Sequence, residues 1–155
     1  MGVGKTSVGR HLAHKALQNA VFLDGDWCWD ANPFIVTDET KEMVINNISH
    51  LLGNFLKCSA YQNVVFCWVM HEQTIIDEIL SRLDLKNTRV VSASLICTET
   101  VLRSRLQADI EAGKRSADVI ERSVARLSCY DRLDTILIDT TSRTVAEIAE
   151  QLSRN

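Results

Sequence analysis

One proline and six glycines in 155 residues leave no stretch that reads as a linker, a repeat or a low-complexity tract. The five cysteines, Cys28, Cys58, Cys67, Cys97 and Cys129, are odd in number and scattered, with no CxxC pair among them. Reduced thiols in a cytoplasmic protein are therefore expected, several of them packing as small hydrophobes. No run approaches the ~18 consecutive apolar residues that a bilayer span requires, and no signal peptide is expected from the opening residues. Positive charge is not in excess either. Seventeen Lys and Arg stand against twenty Asp and Glu, a formal net charge of -3, which gives no electrostatic footprint for nucleic acid or an anionic membrane. What remains is 46% apolar, 24% charged and 6% aromatic residues, enough apolar surface for one globular domain spanning 1–155.

Short apolar runs alternate with helical periodicity along this domain. Thr6 to Gln18 carries Val8, Leu12, Ala13, Ala16 and Leu17 on one helical stripe. Ala20 to Leu23 reads as a buried strand feeding Asp24-Gly25-Asp26, and a loop follows through Pro33. The spacing of Val44, Ile45, Ile48, Leu51, Leu52 and Phe55 predicts a long helix from Asp38 to about Leu56. Asn63 to Met70 predicts a strand, Gln73 to Leu83 a helix, Arg89 to Ile96 a strand, and Thr98 to about Gly113 a helix. Asp118 to Tyr130 predicts a further helix, Thr135 to Ile138 the last strand and Thr144 to Leu152 the last helix. This alternation implies βαβ units, hence an α/β domain with a mostly parallel sheet. Ligands of such sheets bind at the carboxyl ends of the strands. That directs attention to Asp24 and Asp26, His71 and Glu72, Cys97 to Thr100, and Asp139 to Thr141.

The most specific signal is Gly2-Val3-Gly4-Lys5-Thr6, followed by Ser7, at the opening of a helix. It is the second half of the phosphate-binding pattern GxxxxGK[ST]. Glycines let the backbone curl until its N–H groups point at phosphate oxygens, and the helix adds its positive end. Lys5 would reach the β- and γ-phosphates of ATP, and the Thr6 hydroxyl would ligate Mg²⁺. A plain glycine-rich cap with a surface lysine is the weaker alternative, because the pattern opens a helix in a βαβ chain. Counting back from Gly4, the first glycine of the pattern falls two positions before Met1, and no strand precedes the loop. In P-loop folds that strand is central in the sheet. Its apolar side chains contribute roughly 8–15 kcal/mol, as much as a domain's whole net stability. The expectation is that Met1 is an internal methionine of a longer chain, or that the form is truncated.

A guanine-reading NKxD is absent, since Leu85-Lys86-Asn87-Thr88 lacks the aspartate. The best strand for a Walker B motif, Asn63 to Met70, ends in His71-Glu72, which argues against a motor-type ATPase. From GVGKTSVGRHLA, the later FLDGD of Phe22 to Asp26 and an arginine-containing helical stretch before the last strand, the chain resembles the small-molecule P-loop kinases. Shikimate kinase, gluconate kinase and the nucleoside monophosphate kinases are the members it is similar to. The resemblance implies a three-layer P-loop sandwich whose central first strand is missing from this chain. It implies that Asp24 lies near Mg²⁺ and that Asp26 faces the acceptor hydroxyl or helps hold the substrate. It also implies a lid over about 103–126, with Arg103, Arg105, Lys114, Arg115, Arg122 and Arg126 as basic candidates. Arg115 and Arg126 are taken as the pair that neutralises the transferring phosphoryl group. Gly113, beside Lys114-Arg115, is where such a lid could hinge. Asp139-Thr140-Thr141 corresponds to a loop contacting adenine mostly through backbone.

Other residues carry less. Trp27, Trp29 and Phe34 could stack on a planar or sugar-like acceptor or merely roof the core. His71 and Glu72 could contact the acceptor, or be a solvated strand end. His11 and His14 have no third ligand and read as surface, and the charged run Asp109 to Arg122 reads mainly as a solvated helix face. The composite reading is an ATP- and Mg²⁺-dependent kinase acting on a small hydroxyl or phosphate acceptor. Its rival is a nucleotide-binding protein without efficient turnover, because half the loop and a Walker B aspartate are missing. A small-molecule acceptor is the only partner expected, with no nucleic acid and no membrane.

Overall fold

The computed structural model describes Met1–Asn155. Six α-helices and four strands alternate in the order α1 (Lys5–His11), β1 (Ala20–Asp24), α2 (Asp38–Lys57), β2 (Asn63–Cys67), α3 (Gln73–Ser81), β3 (Ala93–Ile96), α4 (Glu99–Glu111), α5 (Val119–Val124), β4 (Ile136–Asp139) and α6 (Val145–Ser153). Helix starts follow their capping chemistry. Thr37 and Thr40 form a reciprocal capping box at α2, with Asp38 and Glu39 in its first turn, and Thr144 and Glu147 do the same at α6. Along α2 the buried residues Val44, Ile45, Ile48 and Leu52 form the stripe that the sequence spacing predicts.

Local geometry departs from the sequence expectation at several places. The first helix is α-helical only to His11; Leu12–Ala16 is a π-helical turn, and Leu17 is already extended. The strand expected through Met70 stops at Cys67, and the one expected from Arg89 begins at Ala93. Val90 and Val91 are exposed instead. The helix expected over Asp118 to Tyr130 divides into α5 and a 3₁₀ turn at Leu127–Arg132. Apolar composition sets which segments reach toward the core, but pairing sets strand length, and these segments lack a partner strand along part of their length.

The sheet itself is in two pieces. β1 pairs parallel with β2 in the register Ala20↔Asn63 to Asp24↔Cys67, and β3 pairs parallel with β4 from Ala93↔Ile136 to Ile96↔Asp139. Nothing joins the two pairs into one sheet. The core is divided along the same line. Leu23, Val44, Ile45, Ile48, Leu52 and Ile79 form one cluster around β1, α2 and α3. Val3, Val8, Leu95, Cys97, Leu102, Leu106, Val119, Ile138, Ile148 and Ala149 form another around α1, β3, α4, α5, β4 and α6. Parallel strands are ordinarily buried on both faces, yet every residue of β2 is half-buried and Ile136 and Leu137 of β4 are exposed. The expected three-layer sandwich with a mostly parallel sheet is therefore realised as two parallel half-sheets, each with one strand edge unpaired toward the middle of the chain's α/β order.

Candidate active site

Gly2 and Gly4 both adopt positive φ, +76° and +93°. An L side chain rarely takes that conformation, and a Cβ on Gly2 would lie 2.9 Å from Leu102 Cδ1. These two residues turn the loop into α1, where Gly4 is the N-cap and no side chain caps the first N–H groups. Those donors stay available to a ligand. Between the glycines the Val3 side chain is buried against the core of α4 and β3. Val3 can therefore offer a ligand only its backbone, and its side chain anchors the loop. Ser7 is exposed one residue further into the helix than Thr6.

Thr6 and Asp24 meet directly. The Thr6 hydroxyl donates to Asp24 Oδ2 at 2.7 Å, and the Asp26 backbone N–H donates to Asp24 Oδ1 at 3.1 Å. Asp24 is buried, 5% exposed, at the carboxyl end of β1, whereas Asp26 is exposed on the 3₁₀ turn Gly25–Cys28 that follows. Gly25 permits this turn because Trp68 packs onto it; a Cβ there would lie 2.4 Å from Trp68 Cγ. Desolvation pushes the Lys5 ammonium pKa down, with Cys67, Asp26 and Asp24 opposing the shift and Arg115 adding to it.

A cationic cluster gathers at the Met1 end of the loop. Burial, then Lys5, Arg115 and Arg126, push the Met1 ammonium pKa down to about 5. Of the six basic lid candidates, Arg103 is held by Glu99 and Glu121, Arg122 by Asp118, and Arg105 donates to the Thr140 hydroxyl and carbonyl at 3.0 and 2.7 Å. Lys114 is exposed and forms no ion pair. Arg115 bonds Asp109 at 3.0 Å and reaches Met1 Sδ at 3.3 Å, while Arg126 has no carboxylate partner. Arg126 also faces His71 and Tyr130. The lid segment breaks after α4, with Gly113 at φ +69°. Lys5, Arg115 and Arg126 thus converge on the Met1 end of the loop, and the Asp24 and Asp26 carboxylates both act on Lys5.

The remaining sequence candidates separate. Trp29 stacks on Phe34 with centroids 4.3 Å apart, but Trp27 turns away to meet Phe22 edge-on at 5.5 Å, with Arg10 over its ring. His71 Nε2 lies 3.5 Å from Glu72 Oε1, and its Nδ1 is buried with no partner. Burial and Arg126 lower the His71 pKa. Asp139 accepts from the Thr141 N–H and hydroxyl, which hold its carboxyl below the usual range, and Thr141 in turn receives the Thr98 N–H. Asp139 belongs to β4 itself, and the loop begins one residue later than the periodicity suggests.

Sequence reasoning missed Cys67. It is directly opposite Asp24 in the strand register and faces Lys5. The strand-end rule pointed past it to His71, because the apolar run extends three residues beyond the true strand. Burial, then the Asp24 carboxylate, push the Cys67 thiol up to about 12, so it stays protonated and unreactive near neutrality. Exposed Cys58 is expected to alkylate well before Cys67 when intact protein is treated with iodoacetamide at pH 8 and mapped by peptide mass. Equal labelling rates would show that the Cys67 environment is open.

The family described as AAA domain matches residues 1–126. The chain belongs to that family. No curated protein matches it. Among solved structures, a gluconokinase from Sinorhizobium meliloti 1021 is similar over 99% of this chain and 85% of its own, at 19% identity and a TM-score of 0.69. The tunicamycin resistance protein of Deinococcus radiodurans is similar over 96% of this chain and 88% of its own, also at 19% identity, with a TM-score of 0.68. At that identity the likeness establishes the P-loop kinase fold for this AAA domain chain. No helix in it is long and apolar enough to cross a membrane.

Proposed function

We propose that this AAA domain protein binds ATP with Mg²⁺ and transfers the γ-phosphoryl group to a small acceptor. The observation that carries the reading is the Thr6–Asp24 hydrogen bond beside Lys5, with Arg115 and Arg126 converging on the Met1 end of the same loop. Two hard oxygen donors 2.7 Å apart, one a buried carboxylate in no salt bridge, suit a hard divalent ion. The cations and the uncapped N–H groups of the loop suit a polyphosphate. Mg²⁺ bound there supplies charge neutralisation of the phosphates.

This chain's residues supply the rest. Lys5, whose charge burial disfavours, gains from a bound phosphate anion. Asp24 fixes the Thr6 hydroxyl. Asp26, exposed at the mouth, accepts or orients the acceptor hydroxyl. Arg126, free of any carboxylate, and Arg115 stabilise charge on the transferring group. Catalysis on this reading is positioning and electrostatics.

Thermal unfolding with and without MgATP tests it. At one hundred times the dissociation constant, linkage gives roughly 2.7 kcal/mol, a rise in midpoint of about 5–10 °C for a domain of this size. Lys5→Ala is expected to abolish the rise. ADP release that depends on an added acceptor then separates a kinase from a binder without turnover. A midpoint that MgATP raises equally in wild type and Lys5→Ala would refute the site.

A further inference from the structure

A second surface lies on the outer side of β1. A groove of about 430 Å³ is lined by Arg10, His14, Ala20, Val21, Phe22, Trp27 and Tyr61. None of Lys5, Thr6, Asp24 or Asp26 lines it, so it is separate from the phosphate site. Its walls are fixed in place. Trp27 meets Phe22 edge-on at 5.5 Å, and Tyr61 is braced edge-on against Phe55 at 6.3 Å. Trp27 and Tyr61 nevertheless remain 54% and 41% exposed.

Two features identify what fits there. First, β1 has a strand partner along one edge only, β2, so alternate N–H and C=O groups on the other edge are without a strand to bond. Native edge strands are commonly shielded by lysine, proline or a bulge. The β1 sequence Ala-Val-Phe-Leu-Asp has none of these, and Ala20, Val21 and Phe22 line the groove. Second, the groove carries the Arg10 charge without any counter-charge. The Arg10 guanidinium sits 5.4 Å over the Trp27 ring, neither Arg10 nor His14 forms an ion pair, and no carboxylate is among the lining residues. An extended backbone satisfies the first feature. Acidic side chains alternating with apolar ones satisfy the second, because side chains two apart share a face of a strand.

We propose that the β1 edge is a docking site for an extended peptide segment with alternating acidic and apolar residues, added to the sheet as a further strand. The backbone supplies hydrogen bonds along Ala20 to Phe22, the apolar residues rest between Trp27 and Tyr61, and the acidic ones pair with Arg10 and accept a hydrogen bond from the His14 ring N–H.

The probe is a blocked heptapeptide alternating Glu and Val, compared with its Lys–Val counterpart and a version with proline at the central position. Binding is followed by Trp fluorescence and by amide hydrogen exchange at Ala20 to Asp24. The acidic peptide is expected to bind at least about tenfold more tightly than the basic one and to slow exchange along β1, whereas the proline version loses binding. Arg10→Glu is expected to reverse the charge preference, and Trp27→Ala to weaken binding about tenfold. Equal affinity for both charges, binding that leaves β1 exchange unchanged, displacement by benzoate at equal concentration, or no binding at millimolar peptide would each overturn the proposal.

Discussion

Replacing Asp24 by Asn is expected to lower MgATP-dependent phosphoryl transfer by roughly 10²- to 10⁴-fold, the range for losing one positioned group in the transition state. Two effects combine. Asn keeps one oxygen for the Asp26 N–H, and its amide NH₂, standing where Oδ2 was, can donate to the Thr6 hydroxyl oxygen, so both contacts persist with the Thr6 bond reversed. It removes the negative charge that a divalent ion would meet beside Thr6, and it removes one of the carboxylates that oppose the downward shift of Lys5. The variant should therefore need much more Mg²⁺ for half-maximal activity, while its midpoint without ligand stays within about 1–2 °C of wild type. Asp26→Asn is expected to behave differently. Asp26 is exposed and its carboxylate accepts no hydrogen bond, so its loss should raise the KM for the acceptor and leave the Mg²⁺ dependence unchanged. An Asp24→Asn protein with wild-type metal dependence and kcat would reduce Asp24 to a turn residue.

Much of this site was legible because its parts are local. Gly2 to Thr6 is a contiguous motif whose backbone needs, positive φ at Gly2 and Gly4, are visible as glycines. Asp24 ends a strand short enough to delimit from its apolar run. Cys67 was not legible. Placing it opposite Asp24 requires the register of two strands separated by the whole of α2, and the apolar Trp68–Met70 run concealed where β2 stops. The lid was legible only as a set of basic residues. Which of them face the loop depends on carboxylates elsewhere in the segment, Asp109, Asp118 and Glu121, drawing Arg115, Arg122 and Arg103 to themselves. The direction of Trp27 was likewise hidden, because it is set by Phe22 on β1 and Arg10 on α1. The division of the sheet into two pairs was less legible, because strand pairing depends on contacts between residues far apart in the sequence. The accompanying division of the core into two clusters is a packing result.

That division makes the largest stability effect predictable. An apolar strand of about seven residues carried ahead of Met1 is expected to raise the unfolding midpoint by about 10 °C or more and to sharpen the transition. The loop supplies the geometry. The Met1 ammonium is near Cys97 at the end of β3, and Lys5 is near Cys67 at the end of β2, so a strand entering at Met1 arrives between the two half-sheets. There it would find unpaired backbone on β2 and on β3, both running parallel to their existing partners. Five buried apolar side chains contribute roughly 8–15 kcal/mol as an upper bound, ordering the backbone of seven residues costs about 7–14 kcal/mol, and each new backbone hydrogen bond to β2 or β3 adds about 1 kcal/mol. A net gain of a few kcal/mol moves the midpoint of a domain this size by about 2–4 °C for each. The extension also replaces the buried Met1 ammonium with a neutral amide, relieving its repulsion from Lys5, Arg115 and Arg126. Two controls isolate the cause. A Gly/Ser extension of equal length supplies the amide without a strand and should give only the small part of the rise due to the lost charge. The apolar extension with a central proline breaks the pairing and should behave like it. A midpoint that rises equally with all three extensions would mean that charge relief, and not strand pairing, limits the stability of this fold.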